Sequence, residues 1–269
     1  MAEPNKSSII EVSKVSKSFS VGDQMVPVLF DVSFSVNDGD FVIIFGPSGS
    51  GKSTLLHIML GLEPPTEGTV MLVGEDIYSY RTEDDRAVLR KQLIGMVYQQ
   101  PNWIKSLNVI ENVAFPLLLL GTDKALSIEK ARDELKKVNM LEKAEYKPTE
   151  LSGGQQQRIA LARALINNPE IIIADEPTGN LDFTSGQDMM KLLSDLNTEE
   201  SRTIVMVTHD LEYIRYAKSV VRVLDGKIMK VYSGKEKDEL GKELTYKRGF
   251  VGEEELDGAS EDNSGKKTK

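Results

Sequence analysis

Phe41-Val42-Ile43-Ile44-Phe45-Gly46-Pro47-Ser48-Gly49-Ser50-Gly51-Lys52-Ser53 is the stretch that decides the fold. Five apolar residues in a row make a strand buried on both faces, the habit of parallel sheets. The run breaks into a glycine-rich loop, and Thr54-Leu55-Leu56-His57-Ile58-Met59-Leu60 continues from Ser53 with helical character. The order is strand, loop, helix. The loop fits the pattern Gly, four residues, Gly-Lys-Ser/Thr. Its glycines let successive backbone N–H groups turn inward around a phosphate, while the helix starting near Lys52 aims its positive end at the anion. Lys52 adds a charge, and the Ser53 hydroxyl suits Mg²⁺.

Toward the N-terminus, residues 9–40 carry the alternating runs Ile9-Ile10-Glu11-Val12 and Val28-Leu29-Phe30-Asp31-Val32-Ser33-Phe34-Ser35-Val36. Turn signals stand at Val21-Gly22-Asp23 and Asn37-Asp38-Gly39-Asp40, so antiparallel strands are expected. Toward the C-terminus, residues 83–143 read as helical, with Ala131-Arg132-Asp133-Glu134-Leu135-Lys136-Lys137-Val138 the clearest amphipathic piece of an inserted helical lobe. Ile171-Ile172-Ile173-Ala174 and Thr203-Ile204-Val205-Met206-Val207 are again short apolar strands, separated by a helix around residues 187–196. Such alternation predicts an α/β fold with a parallel sheet covered on both faces. After Tyr232 the composition turns to Gly, Ser, Glu, Asp and Lys, and residues 233–269 are expected to form a polar, disordered tail.

Two more segments carry chemistry. Asp175 and Glu176 end the Ile171–Ala174 run, where ligands sit in open α/β sheets. Asp175 would hold the shell of a Mg²⁺, and Glu176 would orient or deprotonate a water that attacks a γ-phosphate. Leu151-Ser152-Gly153-Gly154-Gln155, followed by Gln156-Gln157-Arg158-Ile159-Ala160-Leu161, offers a hydroxyl, glycine N–H groups and a helix N-terminus. That is a second anion-binding element. One nucleotide needs one phosphate loop, so a second element suggests two chains meeting head to tail, each closing the other's nucleotide. In isolation Ser152 reads equally well as a helix N-cap.

Composition narrows the class. The 269 residues include 33 Lys and Arg against 42 Asp and Glu, a formal charge of −9, which repels a phosphodiester backbone and argues against nucleic acid as partner. The chain has no cysteine, which removes disulfides and thiolate metal sites and fits a reducing cytoplasm. Residues 1–8 are polar, without a signal-type apolar stretch. The apolar runs fall short of the roughly 20 residues that span a bilayer, so any membrane role is expected through a partner.

In order and spacing, residues 46–53, Tyr98-Gln99-Gln100, Leu151-Ser152-Gly153-Gly154-Gln155, Ala174-Asp175-Glu176-Pro177-Thr178, Gly179-Asn180-Leu181-Asp182 and Thr208-His209-Asp210 resemble the ATPase of ABC transporters. The resemblance runs over residues 9–232. It implies a P-loop NTPase core with an N-terminal antiparallel β lobe (1–99 and 165–232), a helical signature lobe (100–164) and a tail. It implies ATP and Mg²⁺, held by Gly46, Pro47, Ser48, Gly49, Ser50, Gly51, Lys52, Ser53 and Thr54 of one chain. Ser152, Gly153, Gly154, Gln155 and Asp182 would act across the seam of a homodimer. Gln99 would join Ser53 and Asp175 at the metal and link to the permease, His209 would touch the γ-phosphate, and Glu176 and Lys52 would serve catalysis.

Two readings of Phe19 stand: stacking on adenine, where Tyr is the usual residue, or a place in the core. The Ala174–Asp182 run is similar to the branch serving macrolide efflux, lipoprotein release, peptide resistance and cell-division permeases. The length of the chain leads us to expect none of the regulatory β-domain of many sugar and metal importers. Trp103-Ile104-Lys105-Ser106 departs from the aliphatic residue and proline usual after the Gln loop of that branch, in a segment that faces the permease in relatives. The implied partners are integral-membrane permease subunits, at the cytoplasmic face of the cell membrane; the alternative is an ATPase that regulates a cell-envelope partner without transport.

Overall fold

The computed structural model describes residues 7–80 and 82–247, with side chains through residue 241. The chain opens with a long hairpin, β1 (Ser8–Val21) and β2 (Gln24–Asn37), turning at the Val21–Gln24 pair. β3 (Phe41–Phe45), α1 (Lys52–Met59), β4 (Glu67–Leu72), β5 (Glu75–Asp76), α2 (Glu83–Leu93) and β6 (Ile94–Tyr98) follow. Next come α3 (Val109–Leu119), α4 (Lys124–Lys137) and α5 (Gly153–Leu165), then β7 (Ile171–Asp175), α6 (Phe183–Glu200) and β8 (Thr203–Thr208). β9 (Ser219–Leu224), β10 (Lys227–Ser233) and α7 (Gly234–Lys247) close the described chain.

Two sheets result. The antiparallel one runs β2-β1-β4-β5, and the mixed one runs β10-β9-β3-β8-β7-β6, parallel throughout except for the β9–β10 edge pair. The strands of the mixed sheet send alternate residues to two separate cores. Phe41, Ile43, Phe45, Ile172, Ala174, Ile204 and Met206 pack with α3 to α6. Val42, Ile44, Ile171, Ile173, Val205 and Val207 pack with α1 and the antiparallel sheet. A strand that must be apolar on both faces reads as an uninterrupted hydrophobic run, as these do. Each fully buried Ile or Leu contributes about 1.5–3 kcal/mol to this arrangement.

The two cores fix where the anion-binding elements stand. Leu55, Leu56, Ile58 and Met59 hold α1 to one face of the mixed sheet, whereas Ile159, Ala160 and Leu161 hold α5 to the other. The helices of the inserted lobe begin on side-chain caps: Asn108 and Glu111 form a capping box on α3, Asp123 caps α4, and Ser152 with Gln155 forms a capping box on α5.

Two expectations need correction. The segment 83–143 is not helical throughout, because Ile94-Gly95-Met96-Val97-Tyr98 is the edge strand β6, paired in parallel with β7. α2 passes into it without a turn, and a glycine is required since a Cβ on Gly95 would overlap the Ala164 carbonyl oxygen. The tail expected from residue 233 instead begins with α7, which docks Leu240 into the core that also contains Tyr213 and Ile214. Burying one leucine ties down an otherwise polar helix. Residues 248–269 lie outside the described residues.

Candidate active site

The parallel strands deliver their next residues to one edge of the sheet. Phe45 pairs with Thr208, Asp175 with Val207, and Tyr98 with Asp175. Gly46, His209, Glu176 and Gln99 therefore leave neighbouring strand ends together.

The loop after β3 is shaped by its glycines. A Cβ on Gly46 would overlap the Val223 carbonyl oxygen, and Gly49 and Gly51 sit in left-handed backbone at φ 78° and 97°. Gly51 is the N-cap of α1 and offers no side chain to it, and the first turn has no acidic residue. Among the described residues, the amides of Lys52, Ser53 and Thr54 have no acceptor, so the positive end of the helix dipole is unopposed. Lys52 folds back over the loop and donates from Nζ to the carbonyls of Gly46 (2.9 Å) and Pro47 (2.8 Å). Burial lowers its pKa, against the opposing pull of the Glu176 and Asp175 charges. Ser50 is 2% exposed, and among the described residues its Oγ has no partner. Free amides, an orphaned buried hydroxyl and an enclosed ammonium together fit a phosphate group.

Opposite this loop stand the carboxylates. Burial pushes the Asp175 carboxyl up, the charge of Glu176 adds to the shift, and His57 and Lys52 oppose it. Glu176 has a left-handed backbone at φ 45°, and its N–H donates to Val207 O at 2.9 Å. Its Oε1 stands 3.1 Å from His209 Nδ1. Gln99 closes the group: a Cβ on Gly179 would stand 2.8 Å from Gln99 Nε2 and 3.4 Å from Glu176 Oε2, so the two side chains flank that glycine.

The remaining residues singled out in the sequence lie elsewhere. Ser152 caps α5, its Oγ accepting from Gln155 N–H at 3.3 Å while Gln155 Oε1 accepts from Ser152 N–H at 3.0 Å. A Cβ on Gly154 would stand 2.7 Å from Ser185 Oγ, which accounts for a glycine there. Asp182 caps α6 in the same region: Ser185 N–H and Oγ–H both donate to its carboxylate, holding it below the usual carboxylate range. Phe19 is half-buried on β1 and belongs to neither apolar core; Lys17 Nζ lies 4.8 Å from its ring centroid.

A family model described as ABC transporter matches residues 29–179. An uncharacterized ABC transporter ATP-binding protein of Methanocaldococcus jannaschii, MJ1508, is 43% identical over 223 residues, which cover 83% of this chain and 99% of that protein. The chain belongs to the ABC transporter family.

Other ABC relatives agree. The macrolide export ATP-binding/permease protein MacB of Bdellovibrio bacteriovorus is 44% identical over 220 residues, 82% of this chain but only 33% of MacB. Among solved structures, the ATP-binding cassette MJ0796, a dimer in a post-hydrolysis state with ADP and Pi, superposes with a TM-score of 0.77 at 38% identity, over 83% of this chain and 98% of that one. A cbiO1 cassette from Clostridium perfringens gives a TM-score of 0.78 at 26% identity, over 90% of this chain and 93% of that one. Within the family this chain is an ATP-binding subunit with ATPase activity.

One residue of this cassette escaped the reading of its sequence. Gln157 is 3% exposed and donates from Nε2 to Tyr98 O (3.0 Å), Gln99 O (3.3 Å) and Pro177 O (3.0 Å). Its signal was available: it shares the buried face of α5 with Ala160, Leu161 and Ala164, and a polar residue there must find partners. Trp103, which departs from the branch pattern, turns toward the same helix. Its Nε1 donates to Gln156 Oε1 at 2.8 Å, and the Arg163 guanidinium lies 4.5 Å from its ring centroid.

Proposed function

We propose that two copies of this chain close head to tail over two ATP molecules at the cytoplasmic face of a membrane and drive an integral-membrane permease on a separate chain. The observation that carries this reading is the placement of the phosphate loop and Ser152 on helices at opposite faces of the mixed sheet. Ser152 is exposed, and on the face opposite α1 it is free to serve the phosphate loop of a second copy in this reading.

In this reading the amides of residues 46–54, Ser50 and Lys52 bind the phosphates, and Phe19 stacks on adenine. Ser53, Asp175 and Gln99 offer oxygen donors that suit a hard cation, and a cation beside Asp175 would offset the burial that disfavours its charge. A Mg²⁺ held by Ser53, Asp175 and Gln99 would neutralise negative charge that develops on the phosphates. Glu176 accepts a proton from the attacking water as the new O–P bond forms and the bond to the β–γ bridging oxygen breaks, releasing ADP and phosphate. His209 orients Glu176 and contacts the γ-phosphate. Ser152, Gly153, Gly154 and Gln155 of the second copy donate to the same phosphate, with Asp182 at the seam. Those contacts go with the departing phosphate, so the closed pair reopens, and this difference in binding is the work available to the permease.

Among the described residues no helix is long and apolar enough to cross a membrane. The cargo we assign is of the efflux, lipoprotein-release or peptide-resistance type, on the Gly179-Asn180-Leu181-Asp182 run and the identity to MacB. The test is to purify a Glu176→Gln chain from its native membranes with ATP and to identify co-purifying proteins by mass spectrometry. Recovery of an integral-membrane protein is expected. An intact complex containing soluble partners alone would contradict the reading.

A further inference from the structure

Gln157 joins two pieces of backbone that the chemistry needs in register. Its side-chain nitrogen has two hydrogens and three carbonyls around it, those of Tyr98, Gln99 and Pro177. The orientation of the amide is fixed, because the flipped form would set its oxygen against three oxygens. Among the described residues the buried Oε1 atom finds no donor. A buried unpaired acceptor is costly, which marks the donating end as the useful one.

The two segments it ties are those that carry Gln99 and Glu176. Tyr98 and Gln99 end β6 and begin the loop; Pro177 directly follows Glu176. The side chains of Gln99 and Glu176 then converge around Gly179, where a Cβ would stand 2.8 Å from one and 3.4 Å from the other. α5 grips the same loop twice more. Arg163 donates to Pro101 O, and Gln156 accepts from Trp103 Nε1 at 2.8 Å. Those two contacts bind the loop to α5 alone. Gln157 also bonds the segment after β7, and it lies one helical turn beyond the N-terminus of α5, where Ser152 sits.

We propose that Gln157 is a positioning residue: it transmits any displacement of the Ser152 end of α5 to Gln99 and Glu176 together, so that the hydrolytic geometry forms only when α5 is seated. The proposal rests on the functional reading above and adds a single-residue route within it. The route is short and rigid, since one side chain contacts both segments and α5 is a regular helix.

The test compares Gln157→Met and Gln157→Glu with the parent chain. Both keep the length of the side chain and remove its N–H donors; at neutral pH the Glu variant adds an acceptor facing three acceptors. We expect kcat for ATP hydrolysis to fall by about tenfold or more in each, since small misplacements of reacting groups carry penalties of that order. The KM for ATP should stay within about twofold, because the phosphate loop is untouched. Hydrogen exchange should quicken at residues 98–100 and 178–179 while α1 keeps its protection. Parental kcat in both variants would overturn the proposal. So would a joint fall of kcat, ATP affinity and melting temperature, which marks a purely structural role. If one variant fails to fold, the other decides by the same criteria. A parent chain that hydrolyses no ATP would overturn the functional reading itself, a result distinct from either.

Discussion

Glu176 Oε1 stands 3.1 Å from His209 Nδ1, with the two residues one step beyond the ends of the adjacent parallel strands β7 and β8. Glu176 holds that place at φ 45°, a conformation that costs a non-glycine residue about 1–3 kcal/mol. Its backbone N–H is fixed on Val207 O at 2.9 Å. Strain of this kind persists where the surroundings over-determine it, and it aims the carboxylate at the edge where Gly46 and Gln99 also emerge.

Replacing Glu176 by Gln keeps the shape and removes the group we propose as the base. ATP hydrolysis should fall by roughly 10²–10⁴-fold, the usual contribution of a positioned general base, while ATP affinity is retained. Phosphate release and equilibrium nucleotide binding check the two halves. A variant that turns over at the parental rate would remove Glu176 from the mechanism.

Asp175 should oppose the stability of the nucleotide-free chain. Burial first, and the Glu176 charge second, raise its carboxyl pKa in the fold. From about pH 4, the ordinary aspartate value, up through the raised one, the folded chain binds more protons than the unfolded chain. Stability therefore falls as pH rises through that window, and the loss persists at neutral pH. Asp175→Asn should melt higher than the parent at pH 7, with the gap closing toward pH 4, and should lose Mg²⁺-dependent hydrolysis. A gap independent of pH would refute this account of Asp175.

The sequence made the strand-loop-helix at residues 41–60 legible because a doubly buried strand must be apolar throughout and a loop with φ of 78° and 97° must be glycine. The acidic strand end at Asp175 and Glu176 was legible for the same reason. β6 was not, since its five residues follow α2 with no turn and contain a glycine required by the Ala164 carbonyl, a contact remote in sequence. α7 was hidden because its polar composition outweighs one docked leucine. Gln157 carried a signal in its spacing from Ala160, Leu161 and Ala164, but three glutamines in a row blur it until α5 turns one of them inward.

Leu240 tests the docking of α7. It is 9% exposed and joins the core that includes Ile214. Leu240→Ala should cost about 2 kcal/mol, at the low end for a leucine at a core margin, and so lower the melting temperature by about 4–8 °C. ATP hydrolysis at room temperature should persist. An unchanged melting temperature would mean that α7 adds nothing to the fold.

The central claim is that each ATP is hydrolysed between two chains, and a mixing experiment tests it most directly. Ser152→Arg and Glu176→Gln chains, carrying different tags, are each expected to be silent alone. In mixed dimers one seam regains an intact phosphate loop and Glu176 from the first chain and an intact Ser152 from the second. Activity should return to roughly a quarter of the parental rate, since half the dimers are mixed and each has one working seam of two. Parental activity of the Ser152→Arg chain alone, or a silent mixture in which the tags prove mixed dimers, would contradict the claim.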